Sequence, residues 1–217
     1  MEQAWILFYL HTLDDFYKRE TMQHFLDTLV SLGYSLRESS EELTTPVTAG
    51  ITPRLRERVE VYLSQRGQKL ALDAYNEDDP GLEFGVSFSL VKEGYFVIFL
   101  DEERFFSDEE RDIYYPIWLD LLKKVYACWH PAYVQEGLKD DEGIDREISL
   151  SEEFRYLYET NIFGPGLVAR IGRERLLNAP AWKVEELDDG AILLIPSQHF
   201  SVDTEANVGA VIRFLEE

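Results

Sequence analysis

The segment from residue 82 to residue 100 constrains the fold more strongly than any other part of the chain. From Leu82 to Leu90 every second residue is large and apolar, and the residues between them are Glu, Gly or Ser. Strict alternation places one face of a strand in a core and the other toward water. Lys92-Glu93-Gly94 then supplies a turn, and residues 95–100 form an almost wholly apolar return strand. The pattern predicts an antiparallel hairpin.

Further strands and helices are predicted on both sides of this hairpin. Short apolar or aromatic runs predict strands at residues 4–10, 34–37, 69–75, 181–187 and 191–195. Helical spacing of apolar residues predicts helices at residues 22–32, 53–66, 108–130, 149–158, 167–171 and 208–215. The polar, irregular residues 131–148 are predicted to be a long loop. We therefore expect an α+β fold: a single domain over residues 1–217, with helices packed on a mainly antiparallel twisted sheet.

The predicted helix at residues 108–130 is expected to be the central one. Its buried face is expected to comprise Tyr114, Trp118, Leu121, Val125 and Trp129, widened by Ile117, Leu122 and Tyr126. Pro116 either kinks this helix or begins it afresh, because proline removes a backbone donor and clashes with the preceding turn.

Charge is the second constraint on function. The formal net charge is −21, and each half of the chain holds about twice as many acidic as basic residues. A body of this charge repels nucleic acid and anionic lipid, and it attracts basic partners. Ordinary solubility is the simpler explanation. The acidic clusters beside predicted strands and the central helix are the candidate partner-binding residues: Glu77, Asp78, Asp79, Asp101, Glu102, Glu103, Asp140, Asp141 and Glu142.

No signature of catalysis or of a cofactor is found in the sequence. The four histidines lack the spacing of a zinc motif, and neither a metal nor a cofactor is expected. Gly164-Pro165-Gly166 is interpreted as a helix–helix corner, because a helix is predicted before it and Pro165 has no N–H for a phosphate. Cys128 lies in an apolar helical run and is expected to be a buried thiol. Among ionisable groups, His11 with Asp14 and Asp15 comes nearest to a site.

The sequence also bears on the cellular location. The first residues carry no basic segment ahead of their short apolar run, so no signal peptide is predicted. No apolar run approaches the roughly 20 residues that span a bilayer. We therefore expect a soluble cytoplasmic protein without membrane or nucleic-acid contacts. The oligomeric state is left open.

One region carries a family resemblance. It extends from Leu121 to Ile195, and its matching elements are Tyr158 with Asn161, Phe163-Gly164-Pro165, Gly172, Leu176-Leu177, Ala179-Pro180 and the Asp189-Gly190 hairpin. These motifs resemble bacterial immunity proteins of polymorphic toxin systems, namely the immunity protein 52 group and related type VI secretion immunity proteins. The resemblance implies an α+β fold and a non-enzymatic protein that binds and blocks a toxin.

Three functions therefore stand as hypotheses. The first is an immunity-type protein that neutralises a cognate, basic toxin domain through its acidic surface. The second is an enzyme with a dispersed carboxylate and histidine site, centred on His11, Asp14 and Asp15. The third is an acidic mimic of nucleic acid that occupies a DNA-binding protein.

Overall fold

The computed structural model describes residues 3–41, 50–76, 83–89, 92, 94–101, 108–138, 157, 160–198 and 204–216. It has the predicted α+β fold: ten strands in a mostly antiparallel open sheet, with six α-helices among the described residues. The chain divides into two compact units, and strand β1 (Gln3–Tyr9) contributes to both. Ile6–Phe8 and Pro131–Glu217 form the second unit, and the rest forms the first. The single domain over residues 1–217 stays a prediction.

The first unit contains strands β2 to β6. They are β2 (Ser35–Glu38), β3 (Gly50–Ile51), β4 (Ala71–Tyr75), β5 (Phe84–Ser87) and β6 (Tyr95–Asp101), and they follow the order β3-β2-β4-β5-β6. Only the β2–β3 pair is parallel in this series. Phe84 lies opposite Leu100 and Val86 opposite Ile98. The hairpin expected from the alternating pattern is confirmed.

Three helices and a short 3-10 helix (Leu13–Tyr17) complete the first unit. They are α1 (Arg19–Ser31), α2 (Pro53–Ser64) and α3 (Asp108–Trp129). Helix α2 begins as the sequence predicts: the Thr52 Oγ1 accepts a hydrogen bond from the backbone N–H of Leu55, and Pro53 occupies the first helical position. Helix α3 continues through Pro116 as one 22-residue helix, so Pro116 does not begin it afresh.

Aromatic side chains fill the core of the first unit. Phe88 and Phe96 stack with ring centroids 5.0 Å apart, and Trp129 of α3 lies 5.2 Å from Phe96. Phe25 of α1 contacts Trp129 edge-on at 5.8 Å, and Tyr62 of α2 lies 5.7 Å from Phe88. Each such pair contributes about 0.5–1.5 kcal/mol beyond the burial of its apolar area. This cluster fixes α1, α2 and α3 to the β5–β6 hairpin.

The second unit is built on four antiparallel strands. They are β7 (Tyr133–Leu138), β8 (Asn161–Phe163), β9 (Lys183–Glu186) and β10 (Ile192–Ile195), in the order β7-β8-β10-β9. All four residues of β10 are fully buried, as the apolar sequence of this strand predicts. The helices are α4 (Pro165–Ile171), α5 (Arg173–Leu177) and α6 (Thr204–Glu216). The Asp189-Gly190 turn is confirmed: the Asp189 Oδ1 accepts the N–H of Ala191, and Gly190 has a φ of 85°.

Two predictions in this unit are wrong. Residues 133–138 were expected to be loop, but they form β7, where Val134 lies opposite Ile162. Residues 161–163 were expected to end a helix, but they form β8, which pairs with β7 and β10. Both strands are stabilised by pairing with distant residues, which a local pattern does not reveal. The helix expected at residues 149–158 lies outside the described residues, except for Leu157.

Candidate partner-binding surfaces

The acidic residues that the sequence singled out are mostly outside the described part of the chain. This holds for Glu77, Asp78, Asp79, Glu102, Glu103, Asp140, Asp141 and Glu142. Asp101 is the last residue of β6. The structure therefore does not test whether these nine carboxylates share a surface, and their role in partner binding stays a prediction.

Among the described side chains, four large hydrophobic ones are conspicuously exposed. Ile113 is 61% exposed, Trp182 49%, Leu13 48% and Ile117 43%. Ile113 and Ile117 are four residues apart on α3, so they lie on one face of the helix, one turn from each other. Pro116, also exposed, lies beside them. Exposed hydrophobic residues scattered singly are ordinary, so the adjacency of the two isoleucines and the proline is what distinguishes this part of α3.

The exposure of Ile117 corrects a prediction. Its spacing suggested that it widened the buried face of α3 together with Leu122 and Tyr126, and those two residues are indeed buried. Ile117, at the margin of that face, is left in solvent. Helical periodicity gives the direction of an apolar stripe, but the neighbouring elements decide how wide a stripe is covered.

Carboxylates flank these three residues along the helix. Exposed Asp112 adjoins Ile113 in sequence, and Asp120 lies one turn beyond Ile117. The Asp120 carboxylate is 2.5 Å from the Lys124 ammonium, an ion pair at i,i+4 spacing. We call the surface formed by Asp112, Ile113, Pro116, Ile117 and Asp120 the α3 patch. It has an apolar centre with a carboxylate at either end.

The second unit presents an exposed aromatic side chain, Trp182, directly before β9. The backbone N–H of Trp182 donates to the carbonyl of Pro196 at 3.1 Å, which holds the residue beside the sheet. Strand β9 stands last in the strand order. Its charged side chains are paired: Glu186 accepts two hydrogen bonds from Arg173, and Lys183 lies 3.2 Å from Glu185. Charged side chains on an edge strand oppose pairing with a further strand. A partner at this edge would therefore contact the exposed indole and would not extend the sheet.

The arginines of α2, and Arg66 just beyond its end, have partners within the fold, either carboxylates or backbone carbonyls. Arg54 pairs with Glu38 of β2 at 3.3 Å, and Arg66 pairs with Asp14 at 2.5 Å. Glu60 of α2 in turn accepts a bidentate pair from Arg19 of α1. Exposed ion pairs of this kind contribute roughly 0–1 kcal/mol each. The arrangement is a solvated face whose arginines already have partners.

In the group formed by His11, Asp14 and Asp15, the two carboxylates have partners within the fold, and His11 is exposed. The Asp15 carboxylate accepts the backbone N–H of Thr12 at 3.0 Å and pairs with Lys18 at 2.5 Å, so it caps the 3-10 helix. Partial burial raises the pKa of Asp15, but the hydrogen bonds from Lys18 and Thr12 outweigh this effect and hold it below its usual value. Asp14 is paired with Arg66. Within the described residues, no group of three or more His, Cys, Asp or Glu side chains is arranged to hold a metal ion.

The glycines at residues 164–166 connect a strand to a helix, not two helices as expected. Even so, they have a packing role. A Cβ on Gly164 would lie 2.7 Å from the carbonyl oxygen of Pro131 and 2.8 Å from that of Ala132. The backbone N–H of Gly164 donates to the Ala132 carbonyl at 3.0 Å. Gly164 therefore allows two backbone segments to approach closely at the start of helix α4.

Two further polar groups lie in the interior. Asn161 of β8 is fully buried. Its Oδ1 accepts a hydrogen bond from the Tyr133 hydroxyl at 2.6 Å, and its Nδ2 donates to the Leu194 carbonyl at 3.3 Å.

The Cys128 thiol is buried as predicted, and it donates to the Thr28 hydroxyl at 3.4 Å. Burial raises the pKa of Cys128, which disfavours the nucleophilic thiolate. Both groups stabilise the fold and offer no reactive centre.

Comparison with known proteins adds information on the fold. No protein-family model matches the chain, and no match is found among curated proteins. Among solved structures, the chain is similar to the Pseudomonas aeruginosa T6SS protein PA0821, with a TM-score of 0.55 and 13% sequence identity. The similarity covers 99% of this chain and 75% of that one. At this identity the match shows a shared fold.

Among the described residues, none of the helices has the length and apolar character of a membrane-spanning segment.

Proposed function

We propose that this protein is an immunity-type inhibitor that binds a bacterial toxin domain in the cytoplasm and blocks it by direct contact, without catalysis. The observation that carries the proposal is the fold similarity to a type VI secretion system protein over 99% of the chain. It agrees with the resemblance of residues 121–195 to immunity proteins of polymorphic toxin systems. The fold similarity supports a link to type VI secretion, and the motif resemblance supports the immunity role.

The charge of the chain favours a basic toxin. A net charge of −21 raises the rate at which a cationic domain encounters this protein and suppresses contact with acidic ones. Electrostatic steering alone gives weak complexes, so a stable inhibitor also needs buried apolar anchors. The exposed Ile113, Ile117 and Trp182 side chains supply such anchors.

The proposed mechanism requires no reaction. A stable protein–protein interface buries about 1,200–2,000 Å² in total, which is enough to cover the active site of a small toxin domain. In this mechanism, fast electrostatic association limits the lifetime of the free toxin. Desolvated apolar contacts then slow its release.

Co-expression with toxins encoded beside this gene tests the proposal. We expect the protein to restore growth to cells that express one such toxin domain, and to co-purify with an inactivated form of it. An unrelated protein of similar size and net negative charge serves as the control for general effects of an acidic protein. Failure to bind or protect against any neighbouring effector would refute the proposed function.

A further inference from the structure

We propose that the α3 patch is the docking site for the toxin, and that the toxin presents there an apolar side chain surrounded by Lys or Arg. This inference rests on the proposed function and adds to it the contact surface and the chemistry of the partner. The sequence predicts a helix for these residues and burial for Ile117.

The first argument is the exposure of the two isoleucines. Isoleucine is among the residue types most often fully buried, yet Ile113 is 61% and Ile117 43% exposed. They lie one turn apart with exposed Pro116 beside them. The aromatic core already fixes α3 from the other side, so the fold does not require apolar residues at these positions. Covering them with a partner removes apolar surface from water.

The second argument is rigidity. On the opposite face of α3, Trp118, Leu122 and Val125 are buried, and Trp129 belongs to the aromatic cluster with Phe25 and Phe96. The patch is therefore presented on an element that packing holds in place. A preformed surface loses little conformational freedom on binding, which favours affinity.

The third argument selects the occupant. The apolar centre lies between Asp112 and Asp120. The Asp120 carboxylate is already paired with Lys124, but its second oxygen can accept a further Lys or Arg beside an inserted apolar side chain. A second copy of this chain fits poorly, because two bodies of net charge −21 repel each other. An anionic lipid surface is disfavoured for the same reason. A basic protein with an apolar projection is the occupant that complements both features.

The test compares matched exposed residues. The probe is the catalytically inactivated toxin domain encoded by the neighbouring effector gene, and its Kd is measured for the wild type, Ile113→Ser and Leu13→Ser. Leu13 is 48% exposed on the 3-10 helix and so controls for loss of an exposed hydrophobic side chain. We expect Ile113→Ser to weaken binding about 30-fold, as at an interface hot spot, and Leu13→Ser to bind like the wild type. Both variants should keep the wild-type melting temperature.

A second arm tests the charges. We expect Asp120→Asn to weaken binding and to reduce its dependence on salt, because one attractive charge is lost. Asp27→Asn, an exposed helical carboxylate of α1, is the matched control and should change both quantities less. As a positional readout, p-benzoylphenylalanine at residue 113 should crosslink to the toxin domain, and the same group at residue 13 should not.

The outcomes separate the two proposals. If the wild type binds the toxin domain and Ile113→Ser binds equally well, the α3 patch is not the docking site, while the proposed function stands. If the wild type binds no neighbouring toxin domain, both proposals fall. If light scattering shows a wild-type dimer that Ile113→Ser converts to a monomer, the occupant is a second copy and the inference is wrong.

Discussion

The hydroxyl of Tyr133 donates a 2.6 Å hydrogen bond to the side-chain oxygen of Asn161, across the antiparallel pair of β7 and β8. Asn161 is fully buried, and Tyr133 is 5% exposed. A buried amide costs free energy unless its polar atoms are bonded. This bond therefore helps to explain how asparagine is accommodated in the core strand of the second unit.

Two tyrosine substitutions test this account. Tyr133→Phe removes the donor to Asn161 and should lower the free energy of unfolding by about 1–3 kcal/mol, the usual cost of leaving a buried polar group short of a partner. Tyr62→Phe is the matched control, because the Tyr62 hydroxyl is buried without a hydrogen-bond partner in the described part of the chain. Its removal should be neutral or stabilising. Urea unfolding of both variants measures the difference, and equal losses would contradict the prediction.

Two glycine substitutions test the close approach at the start of α4. Gly164→Ala would place a methyl group against the backbone carbonyls of residues 131 and 132, which cannot retreat as a flexible side chain can. We expect a loss of about 1–3 kcal/mol or more from this overpacking. Gly166→Ala meets nothing within 4 Å and has no positive φ. It should stabilise the protein by up to about 1 kcal/mol through helix propensity. Thermal unfolding that ranks the two variants in the opposite order would disprove this explanation.

The carboxylate of Asp15 should make a pH-dependent contribution to stability. Although burial raises its pKa, the hydrogen bonds from Lys18 and Thr12 lower it overall, so the folded pKa lies below the unfolded value of about 3.9. Such a group stabilises the folded state above the unfolded pKa, and the effect is lost as the pH falls through the folded pKa. Asp15→Asn should therefore be less stable than the wild type at neutral pH, and the difference should shrink below about pH 4. Unfolding curves at several pH values would show whether the gap stays constant, which would count against the prediction.

The Cys128 thiol should be unreactive in the native protein. Burial raises the pKa of Cys128, and the weaker opposing effect of Thr28 does not restore it. At mildly alkaline pH, labelling with a thiol reagent should be slow and should become fast only after denaturation. Stopped-flow labelling with and without denaturant gives the two rates. Rapid modification of the folded protein would show that the thiol is accessible.

Local sequence signals predicted one part of the fold well. The alternation from Leu82 to Leu90 predicts the β5–β6 hairpin, Thr52-Pro53 predicts the start of α2, and Asp189-Gly190 predicts the turn between β9 and β10. Each signal depends on neighbouring residues: the side-chain period of a strand, the donors at a helix start, or a positive φ. Such patterns are readable without knowing the rest of the molecule.

Candidate surfaces were harder to predict. Charge suggested nine acidic residues, and eight of these lie outside the described residues. Ile117 was predicted to be buried because it is an apolar residue beside the apolar stripe of its helix, and no surface role was predicted for Ile113 or Pro116. Ile113 lies off the Trp118–Val125 face, and this position favours exposure. The sequence does not show which elements cover that side of α3.

The amino-acid sequence by itself determined the α+β class, the central hairpin, most helix positions and the strongly acidic character of the protein. Only the tertiary structure decided that residues 133–138 and 161–163 are strands and that Gly164 lies against the Pro131 backbone. It also decided that Ile117 faces solvent. The reason is physical: strand pairing, backbone approach and exposure depend on residues far apart in sequence, whose positions are fixed only when the whole core packs.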